Sequence, residues 1–173
     1  MKLETMSKNI VTIMKELSMN QGLARLLYYN KPNPFDQSLP NVNGADLIKP
    51  TSPSARIFPY PFDPEAQIED GSFIRVYYNL GEFNENEVIA QSELHIDIIV
   101  AKSLWLINDG ERSLIRPYEI MGRVIDTIGR RGLSTAIKLK FEGWQHLAVN
   151  AKFDAIRLYA NYMSIEAKPP QKG

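Results

Sequence analysis

Cysteine is absent from the 173-residue chain. Its absence removes disulfides, thiolate nucleophiles and thiolate metal sites together, and it suits a reducing compartment. Only two histidines occur, so there is little choice of imidazole base or ligand. Net charge is lacking too, because 20 Lys and Arg balance 20 Asp and Glu. A neutral chain has no overall field to gather nucleic acid or anionic lipid, which leaves such binding to local patches. No apolar run of about 18 residues is present. The polar-interrupted start "MKLETMSKNIVTIMKEL" has no secretory pattern, so no membrane partner is expected. There is no Gly-x-Ser-x-Gly elbow, no phosphate-binding glycine loop and no dinucleotide fingerprint, and hence no expected cofactor.

What is present is 44% apolar residues, enough for one core. Residues 1–29 read as a helical segment. Met6, Ile10, Ile13, Met14 and Leu17 form one stripe over 4–17, and Leu23, Leu26 and Leu27 point inward from a second, shorter helix. Residues 30–70 are an extended loop or arm. Eight of the eleven prolines fall between Pro32 and Pro64, which excludes long helices and central strands, with one short edge strand expected at 55–60.

Residues 71–167 read as an α+β core. "SFIRVYYN" is a strand, followed by a loop containing Gly81, Asn84 and Asn86, then a long strand over 88–101. "NDGERS" is a turn. Pro117 starts a helix whose expected buried stripe is Tyr118, Met121, Val124, Ile125 and Ile128, with Gly122 inside it for close packing and Gly129 and Gly132 at its end. Strands are expected at 136–143 and 152–166, joined by "HLAVNAK", with Ile156, Leu158, Ala160 and Tyr162 on one face of the last. The tail 168–173 is expected to be frayed. The fold class is α+β: an antiparallel sheet covered on one face by helices, with a long Pro-rich arm.

Within "QSELHIDIIV" the side chains of Glu93, His95 and Asp97 project from one face of a strand. Three metal-capable residues in alternation suggest a metal site or part of a nuclease centre. A metal site draws convergent ligands from more than one element, and the other histidine, His146, follows with no partnering Glu-x-x-His or His-x-x-x-His. Alternation on a half-buried strand produces the same triplet without chemistry, so the row reads as a solvated or subunit-facing surface with no metal bound. "GRRG" at 129–132, with Arg116 and Arg123 near, forms a small basic cluster. It lacks interleaved aromatics for base stacking and reads as charge complementing a helix C-terminus. Phe35, Tyr60 and Phe62 on the Pro-rich arm either anchor a partner or wrap their own domain.

"MSKNIVTIMKELSMNQGLARLLYYNKPNPF", "RIFPYPFDP", "ELHIDIIVAKSLWLINDGERSLIRPYEIMGRVIDTI" and "KLKFEGWQHLAVNAKFDAIRLYANY" together resemble small neck proteins of tailed phages and prophages. These are tail terminators or head–tail joining proteins, and the resemblance spans nearly the whole chain. It implies a non-enzymatic virion component that assembles in the host cytoplasm into a ring, a hexamer in such families. Its implied partners are further copies of itself, the tail tube protein and the head connector or stopper proteins. DNA would pass through the lumen without sequence-specific binding. On this reading Glu93, His95 and Asp97 lie opposite Lys138, Lys140 and Arg157 as complementary charge across strands or subunits. The rival readings are a small metal-dependent phage nuclease acting through the 93–97 row and a cytoplasmic adaptor binding through the Pro-rich arm. Reversing the charge of Lys138 and Lys140 together is expected to weaken ring formation, with light-scattering mass as the measure.

Overall fold

The computed structural model describes residues 3–67 and 69–163. The expected tail at 168–173, the last residues of the 71–167 core and the side chain of Tyr162 lie outside the described residues. Two helices open the chain, α1 (Leu3–Met19) and α2 (Gln21–Tyr28). The stripe behaves as its spacing requires: Ile10, Ile13, Met14 and Leu17 are buried, as are Leu23, Leu26 and Leu27. The break between the helices is made by Asn20, whose side chain accepts from the Leu23 amide at 2.9 Å.

The Pro-rich segment is less extended than its composition suggests. It contains a short helix, α3 (Gly44–Ile48), capped by Asn43, and the two-residue strand β1 (Ile57–Phe58). Two arginines organise it. Arg25 is 9% exposed and donates to the carbonyls of Pro34, Asp36, Leu39 and Pro40. Arg116, with no exposure, donates to Leu26 O at 2.6 Å, Tyr29 O at 3.1 Å, Lys31 O at 2.8 Å and Leu104 O at 2.8 Å. Proline supplies no backbone donor, so the surplus carbonyls of this stretch find partners on guanidinium groups instead. Burial pushes Arg116 down to about 10, still charged at neutral pH.

The sheet runs β1-β2-β3-β7-β6, formed by β1, β2 (Ser72–Phe83), β3 (Ile89–Ala101), β7 (Phe153–Met163) and β6 (Phe141–Ala148). Among the described strands of this sheet only the β1–β2 pair is parallel. A small ribbon, β4 (Leu106–Asn108) and β5 (Ser113–Ile115), flanks the "NDGERS" turn. It leads into α4 (Arg116–Ile128), which has proline in its first turn. Ile74, Val76, Leu94, Ile96, Ile98, Ile156 and Leu158 join the helices in one core. On the opposite face, at one end, Phe73, Ile99, Ala101, Phe153 and Ala155 form a second cluster with Phe58 and Phe62. The α+β sandwich expected from the sequence is the fold found.

Four local expectations are corrected. α4 buries Ile120, Val124, Thr127 and Ile128, whereas Tyr118 and Ile125 are exposed, because its N-terminus is turned by the anchoring of Arg116. The strand expected at 136–143 is shifted to 141–148, and "HLAVNAK" shrinks to a turn in which Asn150 accepts from the amides of Lys152 and Phe153. Gly81 belongs to β2; the β2–β3 turn is closed by Asn84, which accepts from the amides of Asn86 and Val88, with Glu87 at φ 58°. Close packing does not explain Gly122, since a Cβ there would meet open space.

Arg116→Ala leaves four carbonyls without a donor and is expected to cost about 4 kcal/mol, at about 1 kcal/mol per buried hydrogen bond, measured by urea unfolding. Gly122→Ala is expected to stabilise by up to about 1 kcal/mol through helix propensity, read as a rise in thermal midpoint.

Candidate interaction site on the polar sheet face

Pairing places the 93–97 row between two flanking strands. Arg75 of β2 and Arg157 of β7 both stand opposite Asp97, while Tyr77 and Tyr159 stand opposite His95. Asp97 takes Arg157 and leaves Arg75. Arg157 Nε donates to Asp97 Oδ1 at 2.8 Å and Nη2 to Oδ2 at 3.0 Å, a two-point pairing. Tyr77 Oη donates to the same Oδ2 at 2.6 Å and accepts from Arg157 Nη2 at 3.0 Å. Burial, and then the Asp97 hydrogen bond, push the Tyr77 phenol above its ordinary value. The hydrogen bonds that Arg157 donates to Asp97 in turn raise the Arg157 pKa.

Arg75 is drawn off by the Pro-rich segment. Its guanidinium lies 4.1 Å from the Phe58 ring centre, 5.1 Å from Tyr60 and 5.4 Å from Phe62, and burial lowers its pKa. His95 Nε2 contacts Glu93 Oε1, and its ring sits edge-on to Tyr77 at 5.6 Å. His95 and Asp97 are 4% and 5% exposed while Glu93 is half-buried, so of the solvated or subunit-facing surface expected, the solvated reading fails for His95 and Asp97. Glu93 keeps partial access to a shallow hollow of about 470 Å³ that it shares with His95, Trp144, Gln145, Arg157 and Tyr159. A Cβ on Gly143 would strike the Tyr159 ring, so the absence of a side chain there lets that ring lie flat over β6.

The other expected site residues are dispersed. Lys138 and Lys140 precede β6 rather than facing the row: Lys138 Nζ donates to Gly132 O, and Lys140 pairs with Glu142 at 3.2 Å. Of the three cations set against the row in sequence, only Arg157 meets it. Phe35 is half-buried under the Arg123 guanidinium at 4.9 Å. Phe62 packs edge-on to Phe153 at 5.3 Å, and Tyr60 is 53% exposed. These rings therefore contact their own domain. The basic cluster also disperses, since Arg116 is interior and Arg123 covers Phe35.

Chemically, Asp97 is a neutralised carboxylate with both oxygens engaged, and Glu93 is tied to the histidine it would need as a co-ligand. Among the described residues no three His, Asp or Glu side chains converge as a metal ion requires. The arrangement fastens β2, β3 and β7 together across the sheet. Tyr77 and Arg75 were the residues missed in the sequence. Their alternation in "RVYY" carried the signal, because it puts both on the same face as the row once the strands pair.

A family model, YomW, matches residues 20–162, from the cap of α2 to the end of β7. No curated protein and no solved structure matches the chain.

Arg157→Ala is expected to destabilise by about 2 kcal/mol, below the ~3–5 kcal/mol of a fully buried pair because Arg157 retains solvent access. Because the folded pKa of Tyr77 is raised, its stabilisation is complete below the free-phenol value of about 10 and is lost as pH climbs further. Thermal melts between pH 8 and 11 should fall more steeply for the wild type than for Tyr77→Phe.

Proposed function

The chain belongs to the YomW family, a family of phage origin, and from that premise we propose that it is a structural subunit of the phage neck. It self-associates into a ring that caps the tail tube and joins it to the head connector. The work is geometric: closure of the ring stops tube growth at one end and offers a docking face at the other. Passing DNA meets a lumen that does not grip it, which a chain without net charge provides.

The observation that carries this reading is a set of large apolar side chains left in solvent on projecting or edge elements. Leu80 and Phe83 on the β2–β3 hairpin are 62% and 64% exposed, and Trp144 on the edge strand is 54% exposed. Isolated exposed apolar groups are ordinary, but aromatics and leucine at an open sheet edge and at a hairpin end mark surfaces made to be covered. The polar row supports the same reading from the other side. Its carboxylates are used in holding strands together, so the residues best suited to a metal-dependent reaction are already engaged.

Light scattering with negative-stain imaging of the purified protein tests the reading. An annulus of defined mass is expected. A monomer at every concentration overturns it in favour of an adaptor, and divalent-metal-dependent DNA cleavage abolished by Glu93→Gln or Asp97→Asn overturns it in favour of an enzyme.

A further inference from the structure

We infer that copies of this chain join head to tail, Leu133 of one entering the apolar hollow between α1 and the β2–β3 hairpin of the next. The basic loop that carries Leu133 then lies against the acidic hairpin. The inference rests on the ring-forming reading above and specifies its interface.

Leu133 is 84% exposed, more than any other large apolar side chain among the described residues. Its backbone is nonetheless fixed. Leu133 N donates to Asp126 O at 2.9 Å and Ser134 N to Thr127 O at 2.8 Å, while Leu139 N closes the loop onto Ile128 O at 2.7 Å. A Cβ on Gly132 would lie 2.7 Å from the Thr127 carbonyl, so only glycine lets the turn fold back this closely on α4. The buried Ser134 hydroxyl accepts from the amides of Ala136 and Ile137, each at 3.2 Å. An apolar side chain projected from so constrained a turn loses little backbone entropy when it docks.

A hollow of about 320 Å³ opens between the start of α1 and the β2–β3 hairpin. Leu3, Met6, Tyr78, Phe83 and Ile89 supply its apolar lining, and no charged side chain among the described residues lines it. Asn9 Nδ2 donates to Tyr78 Oη at 3.2 Å and ties one wall to α1. Leu3 and Phe83 stay 58% and 64% exposed, so the hollow is left uncovered by its own chain. The chain's own Leu133 does not reach it. The hollow lies at the start of α1, whose 17 residues span about 25 Å. The Leu133 loop leaves α4 beside Thr127, whose Oγ1 accepts from Asn20 Nδ2 at 2.9 Å, just past the other end of α1.

Charge matches the two surfaces. Residues 126–140 carry exposed Arg130, Arg131, Lys138 and Lys140 against a single acid, Asp126. Residues 78–92 carry exposed Glu82, Glu85 and Glu87 and no basic residue, while Glu4 and Lys8 on the first turns of α1 offset each other. A chain neutral in total thus bears a basic knob and an acidic socket, which attract between copies. Because the two patches differ, the joint is heterologous, and its repetition by a closing rotation makes a ring.

Complementation between two variants, read by light-scattering mass against protein concentration, tests the joint. Leu133→Glu spoils the knob and leaves the hollow; Leu3→Arg/Phe83→Arg spoils the hollow and leaves the knob. Each variant alone is expected to raise the concentration needed for assembly about tenfold or more. An equal mixture of the two retains one sound joint per pair and is expected to give dimers that grow no further. All three positions are exposed, and circular dichroism checks that each variant keeps its fold. A wild type that assembles while both variants assemble equally well overturns this interface and leaves the ring intact. Variants that fail alone and stay monomeric when mixed overturn it as well. A wild type that stays monomeric overturns the interface and the ring together.

Discussion

A buried carbonyl without a donor is the constraint around which this molecule is built. The residues between α2 and β2 contain most of its prolines, and each proline removes an amide that would otherwise pair. Arg25 and Arg116 answer that shortage with planar groups of several donors each, and between them they bind carbonyls from 26 to 40 and at 104. Arg116 stands at the start of α4, so one side chain sets the end of α2, the entry to the Pro-rich segment and the rotation of α4 on the sheet. Lysine, a point charge, has no geometry to reach four acceptors in one plane.

The polar face of the sheet follows the same logic of competition for partners. Asp97 has an arginine on each side and accepts one, because the aromatic rings of the Pro-rich segment hold the other. The segment therefore shapes the sheet face twice over: Phe58 and Phe62 cover the apolar end with Phe73 and Phe153, and by capturing Arg75 they leave Asp97 to Arg157 and Tyr77. Residues that resemble a metal site in sequence act as a clasp between strands.

Sequence alone determined the helix stripes of α1 and α2, the alternation of β3, the start of α4 at Pro117 and the α+β class. These depend on the periods 3.6 and 2, which local residues set. It also determined that the 93–97 residues share a face. Tertiary structure decided what that face does, since the partners of Asp97 come from strands 20 and 60 residues away and no local pattern chooses between Arg75 and Arg157. It decided the buried side of α4, where a single interior arginine outweighed the apolar count of Tyr118 and Ile125. It moved β6 from 136–143 to 141–148, because the alternation of "AIKLKFEG" suits either register and only pairing with β7 selects one.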